Sequence, residues 1–175
     1  MQERILDPLE MTSSTFSIQQ AVVSGNYATP YYTGMAGFHA TPPEVEGIFT
    51  PIAPAGALWS TAEDMSKYLI MLLNHGVAGN GTRVVSAENL EYLWEPNVLH
   101  DTDLWYGLGW EIEDYNGLTV IHHPGGTVGY ASELAVIPEL NVGFALLTNR
   151  LDLTAPIGRM AYYRLLEMLT GSEQG

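Results

Sequence analysis

The stretch that decides the fold reads His122-His123-Pro124-Gly125-Gly126-Thr127-Val128-Gly129-Tyr130. It follows the apolar run Leu118 to Ile121 and precedes Glu133-Leu134-Ala135-Val136-Ile137. Two strand-like runs flanking a glycine-dense loop predict neighbouring strands. Glycines at the end of a strand let another group approach the backbone closely, which is what an oxyanion-binding strand needs. His122 and His123 are adjacent on the strand, so their side chains point to opposite faces.

Working outward, Asn116-Gly117 is a hairpin turn signal between a strand at Gly107 to Ile112 and one at Leu118 to His123. Ser132 to Ile137 and Val142 to Thr148 read as two more, joined through Pro138 to Asn141. The expectation is an antiparallel meander over residues 106–149. Upstream, Ser60 is a candidate N-cap with Glu63 completing a capping box. Met65, Tyr68, Leu69, Leu72 and Leu73 then form one apolar helix face, with Gly76 as the C′ residue. Ala78 to Val85 reads as a hairpin-like excursion, and Ser86 to Trp94 as a short helix stopped before Pro96. Residues 24–56 read as a long loop, because Pro30, Pro42, Pro43, Pro51 and Pro54 interrupt regular structure. Glu3 to Leu9 reads as the tail of a helix ending around Pro8. A C-terminal helix over 154–170, capped by Thr154 or Asp152 and ended by Gly171, completes the pattern. The fold class is therefore α+β, an antiparallel β-sheet flanked by helices, in one domain over residues 1–175.

Composition sets bounds on function. Hydrophobic residues make up 46% of the 175 and charged residues 15%, which is a globular composition. The formal charge of −14 repels phosphate backbones and anionic membranes, so no nucleic-acid partner is expected. Without cysteine there is no disulfide, cysteine nucleophile or thiolate zinc site, and the compartment stays open. No apolar run reaches membrane-spanning length, and Met1 to Asp7 does not read as a secretory signal. A metal site near Asp101 and Asp103 would be the rival use of the histidines. No H-E-x-x-H or similar spacing supports one, so no metal or cofactor is expected.

Four motifs, in order, carry a resemblance. Asp7-Pro8-Leu9-Glu10-Met11-Thr12 is similar to a "P-L-G-M-x-x-T" segment. Pro54-Ala55-Gly56-Ala57-Leu58-Trp59-Ser60-Thr61-Ala62-Glu63-Asp64-Met65 resembles "P-A-G-G-L-x-S-T-A-x-D-L". Tyr106-Gly107-Leu108-Gly109-Trp110 matches "Y-G-L-G-W", and His123-Pro124-Gly125-Gly126-Thr127 resembles the third motif, K-T-G-S-T or H-x-G. Together they resemble serine hydrolases related to class C β-lactamases, D-alanyl-D-alanine carboxypeptidases and esterases. The resemblance implies the C-terminal part of the β-lactamase/DD-peptidase-like fold. By it, His123 takes the place of the motif lysine and lines the site, and Gly126 offers its backbone N–H to an oxyanion. Gly125, Thr127 and Tyr106 then stand beside the substrate. Ser60 and Thr61 read as a helix cap rather than as nucleophiles.

The nucleophile of such enzymes is the serine of S-x-x-K, whose lysine one turn later helps take its proton. The only lysine here is Lys67, and Asp64 stands three residues before it. The family's second motif, Y-x-N or S-x-N, is not expected in this chain either, and no Y-x-N occurs. In the family both motifs precede the P-L-G-M segment. This chain therefore reads as the C-terminal portion of a hydrolase of esters, amides or peptides, inactive alone, with a small-molecule or peptide substrate. Its expected partner is an N-terminal complementary half or another copy in a homo-oligomer. A non-catalytic binding or structural module derived from the same fold is the alternative.

Overall fold

Apolar residues alternating with short turns between residues 98 and 148 produce a six-stranded antiparallel sheet. Its strands are β3 (Val98–Asp101), β4 (Leu104–Tyr106), β5 (Glu111–Tyr115), β6 (Leu118–Gly126), β7 (Ala131–Ile137) and β8 (Val142–Thr148), and they lie in that order. A separate hairpin pairs β1 (Tyr31–Gly34) with β2 (Gly37–Ala40). The helices are α1 (Ile18–Ser24), α2 (Ala53–Gly56), α3 (Ala62–Leu73), α4 (Ala87–Leu93) and α5 (Thr154–Thr170). This is a computed structural model, and it describes residues 1–151 and 154–171.

The α+β class is the one expected, but the sheet holds more strands than the four anticipated, because β3 and β4 precede them. The strand expected at Gly107 to Ile112 is also displaced. Gly107 to Trp110 forms a turn, closed by the Gly107 N–H on the Trp110 carbonyl at 2.8 Å. Gly109 takes φ 83°, and a Cβ on Gly107 would meet the Leu93 carbonyl oxygen at 2.5 Å. The glycines of Y-G-L-G-W thus make a bend rather than a strand interior. The Asn116-Gly117 turn is as expected, with φ 53° and 83°.

The chain divides into two compact units. The first comprises Met1–Thr15, Trp59–His123 and Leu134–Ala145; the second comprises Phe16–Leu58, Pro124–Glu133 and the chain from Leu146 onward.

In the first unit α3 buries Met65, Leu69, Met71 and Leu72, and the strands bury Ile112, Tyr115, Val120, Ile121, Ala135, Val136 and Ile137. Each large apolar side chain so buried contributes about 1.5–3 kcal/mol. Helix α3 lies on β8 where Gly143 leaves room, since a Cβ there would stand 3.0 Å from Leu69 Cβ. Its N-cap is Thr61, not Ser60: the Thr61 hydroxyl accepts the Asp64 N–H at 3.2 Å. Ser60 Oγ is engaged elsewhere, 2.8 Å from Ser14 Oγ. The C-terminus closes one residue earlier than expected, in a Schellman pattern with His75 as the left-handed residue (φ 51°). His75 N–H reaches the Leu72 carbonyl at 3.2 Å, and Gly76 N–H reaches that of Met71 at 2.8 Å.

Asp64 fastens the N-terminal segment to α3. Its carboxylate, 2% exposed, accepts from Lys67 Nζ at 2.8 Å. It also accepts from Ser13 N–H and Ser14 Oγ, each at 2.8 Å. Burial acts to raise this carboxyl, but the bonds from Lys67, Ser14 and Ser13 outweigh it and hold the pKa below its ordinary value. The segment itself is a short 3-10 helix, Gln2–Arg4, followed by turns, not the tail of an α-helix. Pro8 has no N–H to continue one.

In the second unit the stretch 24–56, expected as loop, holds the β1–β2 hairpin, a 3-10 helix over Pro43–Ile52 and α2. Its prolines shorten these elements without preventing them. The hairpin is tied down where Tyr31 N–H meets the Asn149 carbonyl at 3.0 Å, and where the Arg150 guanidinium stacks 3.9 Å from the Phe38 ring centre. Helix α5 buries Tyr162 and Leu166. It ends at Gly171, φ 70°, whose N–H bonds the Glu167 carbonyl at 2.9 Å. Asp152, one of the two candidate caps, lies outside the described residues.

Candidate active site

The candidate residues fall in both units: Tyr106 and His123 in the first, Gly125, Gly126 and Thr127 in the second. Strand β6 runs through Leu118–Gly126. Its apolar first half is buried, with Val120, Ile121 and His122 inside, and His123 is half-buried. His122 points into the first unit, its Nε2 3.7 Å from Glu111 Oε2 and 3.6 Å from Glu113 Oε1 on β5. That is a structural histidine between two carboxylates. His123 takes the other face, as expected of its neighbour.

His123 Nε2 lies 3.1 Å from the Tyr106 hydroxyl, with the two rings edge-on at 69°. Tyr106 ends β4 immediately before the Gly107 bend, and the His100 ring stands 6.3 Å from it. The hydroxyl donates to Nε2 when the ring proton is on Nδ1 and accepts from Nε2–H otherwise, and either bond restricts the ring's rotation. The pair can orient a polar group or pass a proton. Trp110, at the far end of the Gly107 bend, is buried, and Trp105, beside Tyr106 on β4, is exposed.

In the second unit, Gly125 and Gly126 end β6. A Cβ on Gly125 would meet Ser132 Oγ at 2.3 Å, and one on Gly126 would meet Leu151 Cδ1 at 2.8 Å. Both glycines therefore sit where neighbouring groups press on the backbone. Thr127 N–H donates to the Tyr130 carbonyl at 2.9 Å and closes the following turn, and the Thr127 hydroxyl donates to the same oxygen at 3.4 Å.

Two residues of this turn's surroundings escaped the sequence reading. Glu46, buried in the 3-10 helix, accepts the Gly129 N–H at 3.0 Å. Tyr130 donates its hydroxyl to the Ala28 carbonyl at 2.6 Å. Burial, then the nearby charges of Glu46 and Tyr27, push the Tyr130 phenol up to about 12. One of two acids in a proline-rich stretch, eighty-three residues from its partner, leaves no local signal.

A second-motif spacing of the S-x-N form does occur, at Ser24-Gly25-Asn26. It closes α1: Ser24 Oγ donates to the Ala21 carbonyl at 2.7 Å, accepts the Asn26 N–H at 3.1 Å, and Gly25 is left-handed at φ 70°. Among the described residues no group of three or more His, Asp or Glu is placed to hold a metal ion. No helix of the described residues is long and apolar enough to cross a membrane.

An antiparallel sheet with flanking helices, whose strand β6 carries a histidine and then two pressed glycines, has the architecture of penicillin-binding-protein-like proteins. The Beta-lactamase family model matches residues 1–168, and the chain belongs to that family of β-lactamase-like hydrolases. It is 31% identical over 160 residues to the unguisins hydrolase ungD' of Aspergillus campestris, covering 84% of this chain and 27% of that protein. It is 37% identical over 102 residues to penicillin-binding protein 4 of Amycolatopsis lactamdurans, covering 55% of this chain and 26% of that one. The fold matches that of the octameric penicillin-binding protein homologue from Pyrococcus abyssi with a TM-score of 0.82 at 24% identity, over 98% of this chain and 37% of that one. The chain spans about a quarter of the length of those two curated relatives.

Proposed function

We propose that this chain is the C-terminal portion of a serine hydrolase that cleaves ester, amide or peptide bonds through an acyl-enzyme. In this reading Gly126 N–H binds the oxyanion, and Gly125 lets the substrate approach. Thr127 and Tyr106 stand beside the substrate, and His123 hydrogen-bonds either the substrate or the base. A preorganised backbone donor at that position is worth roughly 10²–10³ in rate. The observation that carries the reading is the 3.1 Å contact between His123 Nε2 and Tyr106 Oη, which joins two of the family-like motifs at one place. The serine and lysine of S-x-x-K occur nowhere in these 175 residues. They come from polypeptide outside them, as an N-terminal complementary half or a longer chain. The octameric state named for the Pyrococcus homologue makes a homo-oligomer a further proposal.

The test is turnover of a p-nitrophenyl ester and a chromogenic cephalosporin by the 175-residue chain alone and with the upstream half supplied. Turnover only with the upstream half supports the reading. Turnover by the isolated chain overturns the claim that its nucleophile lies elsewhere. The absence of S-x-x-K also favours a second reading, a non-catalytic binding module, and a complemented complex that binds but turns over neither substrate supports that one.

A further inference from the structure

The turn after the oxyanion strand is held from outside by one buried carboxylate. Glu46 is 5% exposed, and its Oε1 takes the Gly129 N–H at 3.0 Å. The turn has little freedom otherwise. Thr127 N–H closes it on the Tyr130 carbonyl at 2.9 Å, and Gly129 is pressed on Pro30 so closely that a Cβ would stand 2.4 Å from Pro30 Cβ. Burying a carboxylate is costly unless its oxygens are used.

A turn fixed at Gly129 and closed at Thr127 sets the direction of the peptide group one residue earlier, at Gly126. We propose that Glu46 is a positioning residue for the oxyanion donor: by holding Gly129 it aims the Gly126 N–H. This rests on the reading of Gly126 as that donor. Glu46 touches no reacting atom in this scheme. Its contribution is the geometry of a group that must be in place before charge develops, and misplacement by about 1 Å at such a group costs up to about 100-fold in rate.

Two conservative variants separate aiming from mere fastening. Glu46→Asp keeps the charge but withdraws the carboxylate by one carbon–carbon bond, about 1.5 Å. Glu46→Gln keeps the reach and an acceptor oxygen but loses the charge. In the complete enzyme, Glu46→Asp should lower kcat for an ester substrate about 10–100-fold with KM within about twofold. Glu46→Gln should stay within about threefold of the parent kcat. Amide exchange of Gly129, read on the 175-residue chain itself, should be about tenfold faster in Glu46→Asp and near the parent rate in Glu46→Gln. An unchanged kcat in Glu46→Asp, a loss confined to KM, or equal exchange in all three proteins overturns the proposal. If the parent enzyme turns over no ester, the hydrolase reading fails by itself, and the exchange rates alone judge whether Glu46 holds the turn.

Discussion

The Tyr106 hydroxyl and His123 Nε2 stand 3.1 Å apart although they belong to strands that are not neighbours. β5 lies between β4 and β6; Tyr106 is in register with Glu111 and Glu111 with His122, so His123 stands one residue off that row and meets Tyr106 at the end of β4, where the Gly107 bend begins. Across one intervening strand the backbones are about 9–10 Å apart, a gap that a tyrosine and a histidine can bridge together. If this contact orients the imidazole for catalysis, Tyr106→Phe in the complete enzyme should lower kcat about 3–10-fold, the value of one hydrogen bond. His123→Ala should lower it about 100-fold. Steady-state ester hydrolysis checks both, and unchanged kinetics for His123→Ala would remove that residue from the site.

Asp64 should be the most sensitive polar position of the first unit. Asp64→Ala removes the acceptor for Ser13 N–H, Ser14 Oγ and Lys67 Nζ together, and should destabilise the chain by about 2–4 kcal/mol. Urea midpoints measure it. The effect depends on pH in a defined direction. The folded carboxyl titrates below its ordinary value of 3.8. Its share of stability is therefore complete above that ordinary value and is lost as pH falls through the lower, folded one. The gap between parent and Asp64→Asn midpoints should be full at pH 7 and should narrow below about pH 4.

Tyr130 should ionise late. With its phenol pushed to about 12 by burial and then by Glu46 and Tyr27, Tyr130 should belong to the late phase of an ultraviolet titration, together with Tyr68, which burial also raises. Tyr130→Phe should remove one tyrosine from that late phase. The neutral phenol is the form the fold favours. Its contribution is present below the ordinary value of 10.0 and is lost as pH rises through about 12.

Two left-handed glycines should respond differently to alanine. At Gly76, φ 87°, a Cβ would stand 2.1 Å from the Val85 carbonyl oxygen, whereas at Gly81, φ 88°, nothing lies within 4 Å. Gly81→Ala should cost only the backbone penalty, about 1–2 kcal/mol. Gly76→Ala should cost clearly more, because backbone must move as well. Thermal midpoints of the two variants decide, and equal losses would show that the Val85 carbonyl yields freely.

The same contrast applies at and beyond the end of β6. A Cβ on Gly129 meets the rigid ring of Pro30, while one on Gly126 meets only a mobile methyl of Leu151. Gly129→Ala should therefore lower the thermal midpoint by several degrees more than Gly126→Ala does. A larger loss for Gly126→Ala would contradict this packing.

Much of this was legible one element at a time. The apolar runs marked β6, β7 and β8, Asn116-Gly117 marked the hairpin leading into β6, and Ser86 capped α4 as it reads, accepting the Asn89 N–H at 3.2 Å. The failures share one cause. Ser60 and Thr61 are equally good caps by chemistry, and the choice fell to Thr61 because Ser14, forty-six residues away, engages the Ser60 hydroxyl. The glycines of Y-G-L-G-W fit a strand by pattern, and the carbonyls of Leu93 and Glu95 are what require a bend.

The sequence by itself determined the α+β class, the family motifs, the acidic surface and the absence of S-x-x-K, because each is a matter of residue identity and short-range spacing. Only the tertiary structure decided that Tyr106 meets His123, that Glu46 reaches Gly129, and that the proline-rich stretch folds into a hairpin and short helices. Those outcomes depend on which distant groups arrive at a given backbone N–H or hydroxyl. No local pattern encodes that, because hydrogen-bonding groups far apart in the chain are matched only when packing brings them together.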